Sequence, residues 1–133
     1  MAGAGDEAPD TLLRAALELA LDVARVGAAS IPPMEAPRQL RRFLQFTRMP
    51  EQAMAAVRRA LDEDEAFRAR VELLADEQEL GRAGWLFVVR PERWEEELAG
   101  LARAARARAE SEQDAKEERS ARRRLAHAEE AQQ

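Results

Sequence analysis

Six arginines stand close together in the first half of the chain: Arg38, Arg41, Arg42, Arg48, Arg58 and Arg59. The planar donor fork of guanidinium matches phosphate oxygens, so these residues offer anion chemistry, with RNA as the candidate ligand. From Pro37 to Arg59 six Arg meet one Glu, a net charge of +5, and from Ala60 to Leu80 eight acids meet two Arg, a net charge of −6. RNA-binding surfaces add aromatic rings on which bases stack. Phe43 and Phe46 are the rings nearby, and spacing assigns Phe43 to the core. The same residues admit a second reading, in which the basic and acidic stretches pair with each other, as charge runs on solvated faces commonly do.

Other chemistry is sparse. Asp62, Glu63, Asp64 and Glu65 are consecutive, and consecutive helical side chains point in different directions rather than at one ion. Cysteine is absent and His127 is the only histidine, which excludes disulfides, thiolate sites and His-rich metal sites. The chain contains neither a Gly-rich phosphate loop nor a Ser/His/Asp arrangement. The expectation is a non-enzyme with no catalytic residue, no metal and no cofactor. Trp85 and Trp94 lie on apolar helix faces and are expected to pack together in the core. The sharper alternative is that Trp85, Trp94 and Phe46 dock a partner, since aromatic residues are enriched at interface hot spots.

The elements that position these residues read as helices. Asp10 is the expected N-cap of a helix over 11–27. Its polar residues Arg14, Glu18, Asp22 and Arg25 form one narrow stripe, and a helix apolar around the rest of its circumference must be surrounded. Pro37 starts a second helix with Leu40, Phe43, Leu44 and Thr47 on one face. Pro50 starts a third, over 50–61, with Ala53, Met54, Val57, Ala60 and Leu61 as its stripe. Asp64 caps a fourth, in which Phe67, Val71 and Leu74 recur at helical spacing. The run "WLFVV" is prone to form a strand, but no second strand exists to pair with it, so a fifth helix over 77–89 is preferred. Pro91 starts a sixth, with Trp94, Leu98, Leu101 and Ala105 as its apolar stripe.

Past Ala105 that stripe ends, and charged residues dominate. The expected fold is all-α: a compact bundle of five to six helices over 10–105, a disordered stretch over 1–9, and, over 106–133, a protruding charged helical extension or the start of a coiled-coil linker. No signal-peptide pattern opens the chain, and no apolar window of about 18 residues exists to span a membrane. A cytoplasmic location is the corresponding expectation. Abundant Ala and Arg, with Lys116 as the only lysine, fit a high-GC genome.

Three pieces in order, "LRRFLQF" at 40–46, "AVRRALDEDEAFRARV" at 56–71 and "GWLFVVRPERWEEEL" at 84–98, resemble a known pattern. It is the helical segment that precedes a charged coiled coil in actinobacterial proteins carrying a NYN domain, a PIN-like RNA-binding or RNase domain. At the start of the fourth helix such proteins often have Asp-Pro, where this sequence has Asp64-Glu65. PIN-like nucleases hold a divalent metal with acids at the ends of parallel strands, and no parallel-sheet pattern is present here. The resemblance therefore implies a noncatalytic interaction or regulatory module of a NYN-domain RNA-processing protein. It would act on a protein partner or by self-association, and the alternative is direct RNA binding through the arginine face.

Overall fold

The computed structural model describes residues 7–132. Within them the chain is all-α, with no strand. Five α-helices are joined by turns: α1 (Arg14–Ala29), α2 (Glu51–Glu63), α3 (Glu65–Glu72), α4 (Glu77–Val89) and α5 (Trp94–Ala131). Two 3-10 segments, Asp10–Leu13 and Arg38–Phe43, complete the secondary structure.

Helix α1 sits at the centre, as its apolar circumference requires. Ala16, Leu17, Ala20, Leu21, Val23, Ala24 and Gly27 are buried. Arg14, Glu18 and Asp22 face solvent, and the intrahelical ion pairs Arg14–Glu18 (3.6 Å) and Arg25–Asp22 (2.7 Å) run along their stripe. Arg25 also donates from Nε to the Leu44 carbonyl at 3.0 Å and from Nη2 to the Phe46 carbonyl, fastening the end of the second 3-10 segment onto α1. Against α4 the approach is close. A Cβ placed on Gly84 would lie 3.1 Å from the Ala16 Cβ. Small residues on both helices thus bring the two backbones together.

The α2 stripe is buried as its spacing requires: Ala53, Met54, Val57, Ala60 and Leu61. Asp64 caps α3, its Oδ1 accepting from the Phe67 amide at 2.9 Å, and Phe67 and Val71 enter the core. Asp76 caps α4 through the Gln78 amide at 3.0 Å. "WLFVV" is helical, and Leu86, Phe87 and Val88 are buried. Along α5 the buried side chains are Leu98 and Ala102, with Trp94 and Leu101 half-buried against the core. From Ala107 to Gln132 every residue is exposed except the half-buried Ala115 and Ser120. The extension expected from the sequence is one unbroken continuation of α5.

Several expectations are corrected. Residues 1–6 and Gln133 lie outside the described residues, but Ala8 is buried and Pro9 starts the first 3-10 turn, so 7–9 belong to the fold. Asp10 makes no capping hydrogen bond because its carboxylate is taken by Arg58 of α2. The segment after Pro37 is a 3-10 helix, and Thr47 lies beyond its end and is exposed. Leu74 does not continue the Phe67–Val71 stripe. Helix α3 ends at Glu72, and the turn that follows leaves Leu74 at 61% exposure.

Helix α4 also bends where periodicity gives no warning. Gly81 has φ 76° and ψ 164° inside the element, a conformation open essentially to glycine alone. No atom lies within 4 Å of a Cβ built there. Gly81→Ala is therefore a test of backbone strain without a steric component. It is expected to lower unfolding free energy by about 1–3 kcal/mol in urea titration, with α4 still helical by circular dichroism.

Candidate functional site

The six arginines are distributed over three places. Arg38, Arg41 and Arg42 are exposed on the second 3-10 segment, whose three-residue turn sets Arg38 and Arg41 on one side. Arg41 approaches Glu35 at 3.5 Å, and the Arg42 guanidinium lies 4.7 Å from the Phe43 ring centroid. Arg48 lines a mixed-sign hollow of about 360 Å³ with Arg14, Glu18, Asp22 and Arg25. Arg58 and Arg59 line a cleft of about 630 Å³ together with Glu7, Asp10, Asp62 and Glu63. Four carboxylates around two guanidiniums give that cleft a sign that repels phosphate.

Arg58 is a structural brace. Its side chain is only 15% exposed; it donates to the Ala8 carbonyl and to Asp10 Oδ1 (3.0 Å), approaches Glu7 at 3.5 Å, and lies 5.4 Å from the Phe87 ring centroid. It holds the chain start against α2. The acids of 62–79, expected to pair with the arginine run, make no ion pair with it. Asp62 accepts from Arg90 at 2.5 Å, Glu63 from Gln39 at 2.8 Å and Glu77 from Arg82 at 2.8 Å, while Asp64 and Asp76 cap helices. Short acidic side chains at helix starts bond the nearest backbone amides before they reach a distant cation.

The two tryptophans do not pack together. Trp94 meets Phe87 edge to face at 6.3 Å and carries the Arg90 guanidinium 4.6 Å from its centroid. Trp85 is half-buried beneath Arg82, 5.0 Å away. Arg90, at φ 57°, sends its amide to the Leu86 carbonyl and its Nε to the Phe87 carbonyl, so it closes α4 and stacks between two rings. Phe46 is 44% exposed and tilts against Phe43 at 6.3 Å. His127 is exposed on α5, its Nδ1 4.0 Å from Glu130. Among the described residues no group of three or more His, Asp or Glu is placed to hold a metal ion.

The surface feature that sequence reading missed is apolar. Leu19, Val23, Val26, Met34, Leu73 and Leu74 line a groove of about 360 Å³, completed by Gly27, Ser30, Asp22 and Arg70. Val26, Leu73 and Leu74 are 66%, 85% and 61% exposed. The hydrogen bond from the Met34 amide to the Gly27 carbonyl (2.9 Å) folds the 30–33 loop back beside the groove, and Ile31 on that loop is exposed. Scattered apolar residues on a surface are ordinary; a contiguous set is not. One signal was present in the sequence. Two adjacent leucines at a helix end cannot both face one core.

No helix of the described residues is long and apolar enough to cross a membrane. Comparison with protein-family models, curated proteins and solved structures gives no match.

Two outcomes follow from the braces. Arg58→Ala strands the Ala8 carbonyl and the Asp10 carboxylate; hydrogen bonds to charged groups are worth about 1.5–3 kcal/mol, and a loss of that size is expected in denaturant unfolding. At the α4–α5 contact Arg82 donates to both Glu97 oxygens, at 2.5 and 2.8 Å, which holds the Glu97 carboxyl below the usual carboxylate value. A depressed carboxyl stabilises the fold fully above its unfolded pKa and loses that contribution as pH falls through the folded one. The stability difference between wild type and Glu97→Gln, followed by thermal unfolding, should therefore be present at neutral pH and vanish in acid.

Proposed function

We propose that this chain is a noncatalytic interaction module that binds a protein partner through the apolar groove between α1 and the end of α3. The observation that carries the reading is the exposure of Val26, Leu73 and Leu74 together in one groove. The occupant that fits is an amphipathic helix. Such a helix lays apolar side chains spaced three and four residues apart into a groove of this kind. Asp22 and Arg70 in the lining favour a basic and an acidic residue, respectively, on the bound helix. The resemblance of 40–98 to the segment preceding NYN domains supports the finer reading, in which the module recruits a partner to an RNA-processing domain.

Direct RNA binding is the weaker reading. It is supported by Arg38, Arg41 and Arg42, which are exposed beside Phe43 and Phe46, and it loses Arg58, whose guanidinium is occupied.

The test is a photo-crosslinking amino acid placed at position 74, with position 52 on exposed α2 as control, in cells producing the full-length protein. A discrete protein adduct is expected at 74 and not at 52, with its crosslinked peptide helical in pattern. Equal adducts at both positions, or none, would overturn the proposal. So would single-stranded RNA binding at about 50 mM salt, where electrostatic affinity is strong, lost on Arg41→Glu with Arg42→Glu.

A further inference from the structure

The apolar groove holds one charge that the fold leaves uncompensated. Arg70, in the last turn of α3, lines it beside Val23, Val26, Leu73 and Leu74. Its side chain crosses onto α1 over Gly27. A Cβ built on Gly27 would collide with the Arg70 Nη2, so the bare backbone there is what lets the guanidinium lie against the helix. Glycine inside a helix is less favourable than alanine, and here the omitted methyl seats a cation. The Phe67 ring supports Arg70 from its own helix, with the guanidinium carbon 5.7 Å from the ring centroid. Arg70 is accordingly half-buried.

The acids around this guanidinium are committed to other cations. Asp22, the one carboxylate in the lining, is held by Arg25 at 2.7 Å. Glu72, on the same helix as Arg70, approaches Arg68 at 3.9 Å. Among the described residues Arg70 has no ion pair, and its guanidinium donates no hydrogen bond. Its half-buried counterparts differ. Arg25, Arg58, Arg68 and Arg90 each donate to a backbone carbonyl and brace the fold. Arg70 braces nothing and points its donors into the groove.

We infer that Gly27 and Arg70 form a carboxylate seat, so that the groove accepts a helix carrying Asp or Glu inside its apolar stripe and rejects one that is apolar throughout. The inference rests on the proposed function and names the chemistry of the partner. It follows from a penalty as much as from an attraction. A helix apolar along its whole stripe would cover Arg70 and strip its water without offering an acceptor, and a charge buried unpaired is costly. A carboxylate at that point receives the planar donor fork in a charge-assisted, bidentate pair. An unpaired charge imposed on the wrong partner is a source of specificity that apolar contact alone does not supply. The aliphatic residues three and four positions from the acid are then left for Val26, Leu73 and Leu74.

Selection from a displayed library of helical peptides tests it, with the full-length chain as bait. The library places Leu at spacings of three and four and varies each stripe position in turn among Leu, Gln, Glu and Lys. The wild type should enrich Glu at one stripe position. Changing that Glu to Leu in the selected peptide should weaken binding about tenfold or more, the scale of a hydrogen bond to a charged group. Arg70→Glu should enrich Lys at the same position. Gly27→Ala should unfold at no lower temperature than the wild type yet lose the preference for Glu, because the added methyl displaces the guanidinium and leaves the leucines in place. Selected peptides that lack the acid but lose binding on Leu74→Arg would overturn the seat and leave the groove reading standing. So would a Glu preference that survives both Arg70→Glu and Gly27→Ala. Peptides indifferent to Leu74→Arg, or no enrichment at all, would overturn groove and seat together.

Discussion

The fold depends on the need to surround α1. Its buried residues, Ala16, Leu17, Ala20, Leu21, Val23, Ala24 and Gly27, cover too wide an arc for a single neighbour to bury. Helices α2, α3 and α4 therefore close around it. The closest of these approaches is set by absent side chains, since Gly84 leaves room for Ala16. Burying large apolar side chains contributes about 1.5–3 kcal/mol each, so Leu17, Leu21, Leu86 and Phe67, all essentially inaccessible, supply much of the driving force. The arc has an edge. Val26 lies past it, and α3 ends at Glu72, too soon to cover it. The groove is a direct consequence of a central helix longer than its cladding.

Arginine holds the periphery together. Arg25, Arg58, Arg68 and Arg90 each donate to a backbone carbonyl of another segment or of a helix end. Arg68 reaches the Val88 carbonyl at 2.9 Å, and Arg90 satisfies the last turn of α4. Orphaned carbonyls at helix ends and in loops need donors, and a long cationic side chain supplies several at once. A chain with one lysine and many arginines is suited to this use, because the guanidinium forks to two acceptors. The arginine run of 38–59 was thus a mixture of purposes: Arg58 is structural, while Arg38, Arg41, Arg42 and Arg59 are exposed.

Periodicity made much of the architecture legible. The α2 stripe, the Asp64 cap and the helical state of residues 85–89 followed from spacing, from one short acidic side chain and from the lack of any strand to pair with. The loss of apolar residues after Ala105 marked where α5 leaves the core. What escaped was decided by long-range contacts. Asp10 has the chemistry of a cap, yet it serves a guanidinium that arrives from residue 58. Leu74 has the spacing of the core, yet the helix that would have aimed it there stops two residues earlier. Gly81 reads as a tolerated glycine and is a bend. Trp85 and Trp94 were separated by the left-handed turn at Arg90 and Arg93, which no local pattern announces. The candidate docking groove left a single trace in the sequence, the adjacent Leu73 and Leu74, because exposure is otherwise a property of the assembled bundle.

The central claim is that α1 is the organising element and that α5 beyond Ala105 contributes nothing to the core. Native-state hydrogen exchange, in dilute high-salt solution, tests it most directly. Amides from Leu17 to Ala24 should open only with global unfolding, while those from Ala107 to Leu125 should exchange with little protection. Exchange in α1 as fast as in the distal half of α5 would contradict the account.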